Sequence, residues 1–168
     1  VRAGDLIYKD VNKDGIIDIN DRQIVGTANP TYFGGWNNSI SYRGFDLNFS
    51  LTYTYGNDVY ASWKINVTRL GGTFFPNLNN EVNSRWTGPG TSNTVPRAIY
   101  GSTYNTQNSS RYLEDGSYIR FRNLSVGYSL PDKIVQRMKL KRLRVYLQAD
   151  NLCLLTRYSG IDPEVNDN

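Results

Sequence analysis

From Phe45 to Tyr55 apolar and polar residues alternate without an error. Phe45, Leu47, Phe49, Leu51, Tyr53 and Tyr55 fall on one parity, and Asp46, Asn48, Ser50, Thr52 and Thr54 on the other. This period of two predicts a strand with one apolar face. Upstream, Tyr32, Trp36, Ile40 and Tyr42 are apolar at even positions, with Asn37, Ser39 and Ser41 between them. Arg43-Gly44 separates the two runs as a two-residue hairpin turn. Folding about that turn sets Tyr42 opposite Phe45, Ile40 opposite Leu47 and Trp36 opposite Leu51, so the two apolar faces coincide.

A second pair repeats the plan. Leu124, Val126, Tyr128 and Leu130 alternate with Asn123, Ser125, Gly127 and Ser129 up to Pro131. Upstream the phase flips, with Ile119 and Phe121 apolar and Arg120 and Arg122 charged, which predicts a bulge or an exit from the apolar layer. In the connector 131–142, Ile134, Val135 and Met138 fall at near-helical spacing and predict about two turns of helix. Leu143, Val145, Leu147 and Ala149 then alternate with Arg144, Tyr146, Gln148 and Asp150 as a further strand.

Residues 56–116 break the pattern. They are rich in Asn, Gly, Ser, Thr and Tyr and carry Trp63, Phe74, Phe75, Trp86, Tyr100 and Tyr104. A stretch of this length inside a compact domain either has a function or carries short elements of its own. Packing of its aromatics against the loop itself is favoured over ligand contact for any one of them.

Composition then removes whole classes of chemistry. The 168 residues contain no histidine and one cysteine, Cys153. That excludes Ser-His and Cys-His nucleophile pairs, histidine metal sites, a disulfide framework and CxxC motifs. No apolar run is long enough for a transmembrane helix, and no signal peptide is visible at the Val1 start. A chain opening on Val1 reads as a piece of a longer one. The net charge of +4 comes from 19 basic and 15 acidic residues. Five of the basic ones (Lys133, Arg137, Lys139, Lys141, Arg142) crowd into the connector, where a solvated turn explains them. No nucleic-acid-binding motif accompanies them, so nucleic acid is not expected as a partner.

One stretch carries recognisable ligand spacing. In Asp10-Val-Asn12-Lys-Asp14-Gly15-Ile16-Ile17-Asp18-Ile-Asn-Asp21, oxygen donors stand at positions 1, 3, 5, 9 and 12 of an EF-hand-type loop. Gly15 at position 6 permits the sharp turn, Ile16 at position 7 offers its backbone carbonyl, and Ile17 at position 8 would pack the loop onto its neighbour. The expected ligands are Asp10, Asn12, Asp14, Ile16, Asp18 and Asp21, and the expected ion is Ca2+, a hard cation that takes six to eight oxygens. Position 12 is Asp rather than Glu, as in dockerin modules, and no second copy follows. The plainer alternative is an Asx-rich surface turn.

Alternation alone leaves two architectures open, a half-wetted soluble sheet and a membrane wall. Three features favour the wall. The strand at 45–55 has the nine to eleven residues needed to cross a bilayer. Trp36, Tyr42, Tyr53, Tyr55 and Tyr128 lie toward strand ends, where an aromatic girdle would lie. The opposite face is Asp, Asn, Ser and Thr, as in a wetted lumen. Short connections at one end and a long one at the other match the periplasmic turns and extracellular loops of outer-membrane barrels.

The chain also resembles a known family. Gly4-Asp5 through Asp18, Tyr42-Arg-Gly44-Phe45-Asp46-Leu47, Ser110-Arg111 through Gly116-Ser117-Tyr118-Ile-Arg120, Leu124 through Leu130-Pro131, and Leu143 through Asn151-Leu152 to Gly160-Ile-Asp162-Pro163-Glu164 are similar, in order, to the C-terminal part of SusC/RagA-type TonB-dependent outer-membrane transporters. The resemblance implies an all-β fold: antiparallel strands of a transmembrane β-barrel, partial, with long extracellular loops and the EF-hand-like calcium loop. Within it, 1–30 is the calcium-loop segment in an extracellular region, 31–55 a hairpin, 56–117 a long extracellular loop, 118–152 a second hairpin and 153–168 the start of a further loop. A final barrel strand would follow Asp162-Pro163-Glu164.

What the resemblance implies is uptake of glycans or peptides across the bacterial outer membrane rather than catalysis. The implied partners are a SusD-like surface lipoprotein and TonB, the latter through parts absent from this chain. No substrate-binding residue transfers by position. The alternative function is a soluble calcium-binding carbohydrate-binding or adhesion β-module at the cell surface. An enzyme has little to stand on: Glu114-Asp115 is the kind of carboxylate pair a glycosidase needs, but adjacent strand-flanking residues point to opposite faces.

Overall fold

A computed structural model describes residues 1–71, 77–102 and 104–164. In chain order its regular elements are β1 (Tyr32–Tyr42), β2 (Phe45–Tyr55), β3 (Asp58–Tyr60), α1 (Ser62–Thr68), β4 (Leu113–Asp115), β5 (Tyr118–Ser129), α2 (Asp132–Arg137) and β6 (Arg144–Thr156), with four short 3-10 turns. Strands β1, β2, β5 and β6 pair antiparallel. Among the described residues no helix is long and apolar enough to cross a membrane. The described residues form two compact units, one within Val1–Thr27 and Tyr60–Glu114 and one within Ala28–Val59 and the residues from Asp115 to Glu164.

The second unit is a four-stranded sheet in the order β1-β2-β5-β6. Tyr42 pairs with Phe45, Ile40 with Leu47 and Trp36 with Leu51, the register the alternation predicts. Arg43 and Gly44 both take positive φ, 47° and 87°, the backbone of a hairpin turn whose twist matches its strands. A Cβ on Gly44 would stand 2.8 Å from the Ser129 carbonyl oxygen, so close approach as well as φ requires glycine there. The expected bulge lies at Arg122: β2 pairs Leu51 with Phe121 and then Ser50 with Asn123. Asp132–Arg137 is the expected short helix, with Val135 buried and the connector's basic side chains exposed.

One boundary differs from the sequence reading. β6 runs on to Thr156 instead of ending near 152, because its own irregularity lets it stay in register. β5 passes from Asn123↔Asp150 to Phe121↔Cys153, and Asn151 has a φ of 51°. The segment 56–117 carries short elements of its own, one of the two outcomes its length allows. These are β3, α1 and β4, and its described residues between Tyr60 and Glu114 group with residues 1–27 into one unit. Phe74 and Phe75 lie outside the described residues.

Among the described residues the core of this first unit is small: Ala61, Val82, Val95 and Tyr112 are buried. Polar contacts distant in sequence do much of the joining. The Arg97 amide donates to the Gly4 carbonyl (2.8 Å), the Leu6 amide to Asn105 Oδ1 (2.9 Å), and Tyr8 Oη to the Tyr104 carbonyl (2.8 Å). The Tyr8 and Tyr104 rings meet edge-on at 5.3 Å. Burial pushes the Tyr8 phenol up to about 12, so it stays a neutral donor. Trp86 lies against Gly4, leaving no room there for a Cβ. Trp86 and Tyr104 therefore pack the loop unit internally, whereas Tyr100 is 80% exposed.

Candidate functional site

Three features could carry function: the two faces of the sheet, the acidic loop, and a charged cluster at one end of β5.

Register places every strand's apolar parity on one face. Ile40, Leu47, Val126 and Leu147 form one row across all four strands, and Trp36, Leu51, Phe121 and Cys153 another. Side chains of that face stand open to solvent. Leu147 is 76% exposed, Leu155 62% and Trp36 58%. An exposed apolar surface of this extent marks contact with lipid or a partner.

The opposite face is polar and internally hydrogen-bonded. Arg144 on β6 reaches over β5 to Asp46 on β2 with a bidentate pair, Nε–Oδ1 3.0 Å and Nη2–Oδ2 2.6 Å. Gly127 makes this reach feasible, since a Cβ there would stand 2.6 Å from both Arg144 Nη2 and Asp46 Oδ1. Asn123 donates to Asp150 at 2.5 Å. Near the turn end, Ser39, Ser41, Asn48, Arg43, Arg142 and Arg144 line an open polar hollow of about 600 Å3.

At the other end of β5, Tyr118, Arg120 and Arg122 share the polar face and meet the segment after β6. Arg120 Nη2 pairs with Asp162 Oδ1 at 2.6 Å, Arg122 Nη2 with Glu164 Oε1 at 2.6 Å, and Tyr118 Oη donates to Glu164 Oε1 at 2.5 Å. Between the two acids Pro163 is buried. The phase flip at Arg122 was the sequence's only sign of this cluster. Nothing local joined it to Asp162 and Glu164.

The expected ligand residues fold as a tight surface loop. Asp10 accepts the Lys13 and Gly15 amides (2.5 and 2.8 Å), and Asn12 and Asp14 accept those of Asp14 and Ile16 (3.1 and 2.8 Å). Asp21 accepts the Val11 and Asp18 amides at 2.8 and 2.9 Å, and Asp18 accepts that of Asn20. Lys13 and Gly15 hold the loop's two positive φ angles, 64° and 83°. The backbone donors keep the Asp21 carboxyl below the ordinary carboxylate range. Ile17 is 41% exposed rather than packed, and Ile16 is 64% exposed. Among the described residues no group of three or more His, Cys, Asp or Glu side chains converges as a metal site would. The donor chemistry suits calcium, while in this geometry the side-chain oxygens serve the loop's own amides.

Glu114 and Asp115 have structural partners. Lys64 Nζ pairs with Glu114 at 3.1 Å, and Asp115 Oδ1 accepts the Ser117 amide at 2.9 Å.

Comparison with known proteins agrees with this two-faced sheet. TonB-dependent receptor P3 of Formosa agariphila is 34% identical over 97% of this chain. TonB-dependent receptor SusC of Bacteroides thetaiotaomicron is 27% identical over 95% of it. Among solved structures, a RagAB peptide transporter superposes with a TM-score of 0.74 at 25% identity, over 89% of this chain and 16% of that one. The chain spans about a sixth of the length of these relatives, 16% of P3 and 15% of SusC. No protein-family profile matches the sequence. The family resemblance read from the motifs is borne out: this chain is a segment of a TonB-dependent receptor of the SusC/RagA type.

Proposed function

We propose that the sheet is part of the wall of a transmembrane β-barrel in the bacterial outer membrane, in a receptor that imports glycans or peptides. The observation that carries this reading is the division of four neighbouring long strands into an exposed apolar face and a hydrogen-bonded polar face. Lipid would meet the first and the aqueous lumen the second. In this reading residues 1–30, 56–117 and the segment after β6 lie on the extracellular side, and the Arg43-Gly44 and 130–143 connections are periplasmic. A SusD-like lipoprotein partner is supported by the SusC and RagAB relatives, and by exposed apolar side chains on the loop unit such as Ile7, Ile19 and Ile24. Coupling to TonB and the choice of nutrient reside in the whole receptor. A soluble sugar-binding module has less support, because its apolar sheet face would need a second sheet to cover it.

The test is uptake. Deleting the receptor gene is expected to abolish accumulation of a labelled oligosaccharide or peptide mixture, and deleting tonB to reproduce that loss. Unchanged uptake in both strains would defeat the reading.

The Asp10–Asp21 loop is proposed to take calcium. Asp10, Asn12, Asp14, Asp18 and Asp21 would supply side-chain oxygens and Ile16 its carbonyl; each carboxylate oxygen that accepts one amide keeps a second lone pair. The ion would neutralise a cluster of four carboxylates and fix the loop. Calorimetry on the intact receptor is expected to show calcium binding at about 0.1–1 mM, the range of extracellular modules, and to lose it with Asp14→Ala. Equal heats for both proteins would count against the site.

A further inference from the structure

We propose that Arg120 and Arg122 form a carboxylate-binding site on the polar face of the sheet, and that the chain's own Asp162 and Glu164 occupy it as an internal ligand. The inference rests on that face being the lumen wall, and it adds a ligand class to that reading: solutes bearing two carboxylates about one residue apart.

The geometry is that of a receptor and its ligand. Two guanidinium groups two residues apart on one strand present their donors side by side, and carboxylates match them in charge and shape. The residue spacing of the acids mirrors that of the arginines, with Pro163 as the single residue between. Asp162 and Glu164 meet Arg120 and Arg122 respectively at 2.6 Å, and Tyr118 adds a second donor to Glu164. The Asp162 carboxylate also accepts the Glu164 amide at 2.9 Å, so the acidic tripeptide is pre-folded for the site.

Two observations distinguish an exchangeable occupant from a fixed brace. Arg120 is 8% exposed, yet its buried Nε has no hydrogen-bond partner; Glu164 Oε2 stands 3.5 Å from it. The internal ligand therefore holds this buried donor only through a long ion pair without a hydrogen bond, and a better-fitted carboxylate would close that gap. The acids themselves remain open to water, with side chains 27% and 28% exposed, and Ile161 beside them is fully exposed. Ion pairs open to solvent contribute little net stability. Replacing one carboxylate by another also leaves the charge of the site unchanged. Tethering makes the internal ligand a strong competitor, at an effective concentration on the order of millimolar.

That competition supplies the test. The intact receptor, purified in detergent, is titrated calorimetrically with N-acetyl-Asp-Pro-Glu-amide, with the Asn-Pro-Gln counterpart, and with digalacturonate. The wild type is expected to bind one or both acidic probes weakly and the neutral peptide not at all. Preference between the acidic probes tells an acidic peptide from an acidic sugar. Neutralising the internal ligand (Asp162→Asn with Glu164→Gln) should tighten acidic-probe binding about tenfold, because the competitor is removed. Arg122→Gln should abolish it. A purely structural role predicts no gain in the double variant, and misfolding cannot produce one. Unchanged or weaker binding there, or equal binding of the neutral peptide, overturns the site. Heat-modifiable migration of the same preparations reports the barrel separately. Its absence counts against the wall reading, whereas normal migration without the affinity gain defeats the carboxylate site alone.

Discussion

Leu51→Arg is expected to block assembly of the intact receptor in the membrane, while Asn48→Arg in the same strand is tolerated. Leu51 lies near the middle of β2 on the exposed apolar face, in a row with Trp36, Phe121 and Cys153. Arginine there would hold its charge in the hydrocarbon, at a cost of about 2–4 kcal/mol near the bilayer midplane. Asn48 points the other way, opposite Ser39 and Ser125, toward side chains already in a polar, wetted surface. Semi-native electrophoresis of outer-membrane fractions reads the outcome. The Leu51 variant should lose the heat-modifiable folded band, and the Asn48 variant should keep it. Equal behaviour at the two positions would remove the physical basis for a barrel wall.

The dimensions of the face argue the same way. Tyr42, Phe45 and Tyr128 crowd its turn end, and Tyr32, Tyr53 and Tyr55 its far end, all but Tyr128 strongly exposed. Ten residues separate Tyr32 from Tyr42 along β1. At about 3.4 Å per residue that is roughly 34 Å along the strand, or about 26 Å in height at a tilt near 40°. An apolar band of about 25 Å between two aromatic girdles is what outer-membrane barrels present to lipid. Phe45 and Tyr128 stack across the turn-end row with centroids 4.4 Å apart, and Trp36 meets Phe49 edge-on at 5.3 Å. Cross-strand aromatic pairs of this kind help to hold the register.

The sheet was legible in the sequence because its information is local. Period-two alternation sets the facing of each residue, Arg43-Gly44 sets the register, and the phase flip between Phe121 and Leu124 marks the bulge at Arg122. The end of β6 was misread for an equally local reason. Leu152-Cys153-Leu154-Leu155 does not alternate, and Asn151 suggests a turn, yet pairing with β5 carries the strand through an irregularity that no single-strand pattern encodes. The loop unit was illegible because its contacts are remote. Asp5 and Arg97 lie 92 residues apart, and Asp5 and Asn105 lie 100 apart. The pairing of Arg120 with Asp162 escaped for the same reason, across 42 residues. In the acidic loop the ligand spacing was visible, but spacing alone does not say that the same oxygens cap the loop's own amides.

Asp5→Ala is expected to loosen the loop unit without disturbing the four-stranded sheet. Asp5 is the point on which three separate stretches converge. Arg97 reaches it through Nε at 2.7 Å and Nη2 at 3.2 Å, the Arg2 amide donates at 2.8 Å, and Asn105 Nδ2 at 3.3 Å. Its side chain is only 6% exposed. The Arg97 hydrogen bonds hold the carboxyl well below the ordinary carboxylate range, against the opposing pull of burial, and the Arg2 and Asn105 donors assist. Truncation removes a charge-assisted network and strands its donors, a loss of about 2 kcal/mol for a hydrogen-bonded buried charge. Among its described residues the unit has few buried apolar side chains to make up the difference. Limited proteolysis of the intact receptor should cut the variant faster within residues 85–102, with heat-modifiable migration unchanged. The sign with pH follows from the depressed value. The contribution is fully present above about pH 4, where the unfolded carboxylate is ionised. It fades as acid carries the pH down toward the folded-state value. Wild-type protection should therefore fall on acidification below about pH 4, while Asp5→Asn should start lower and change less over the same range. Parallel pH curves for the two proteins would show that Asp5 is not the group that ties this unit together.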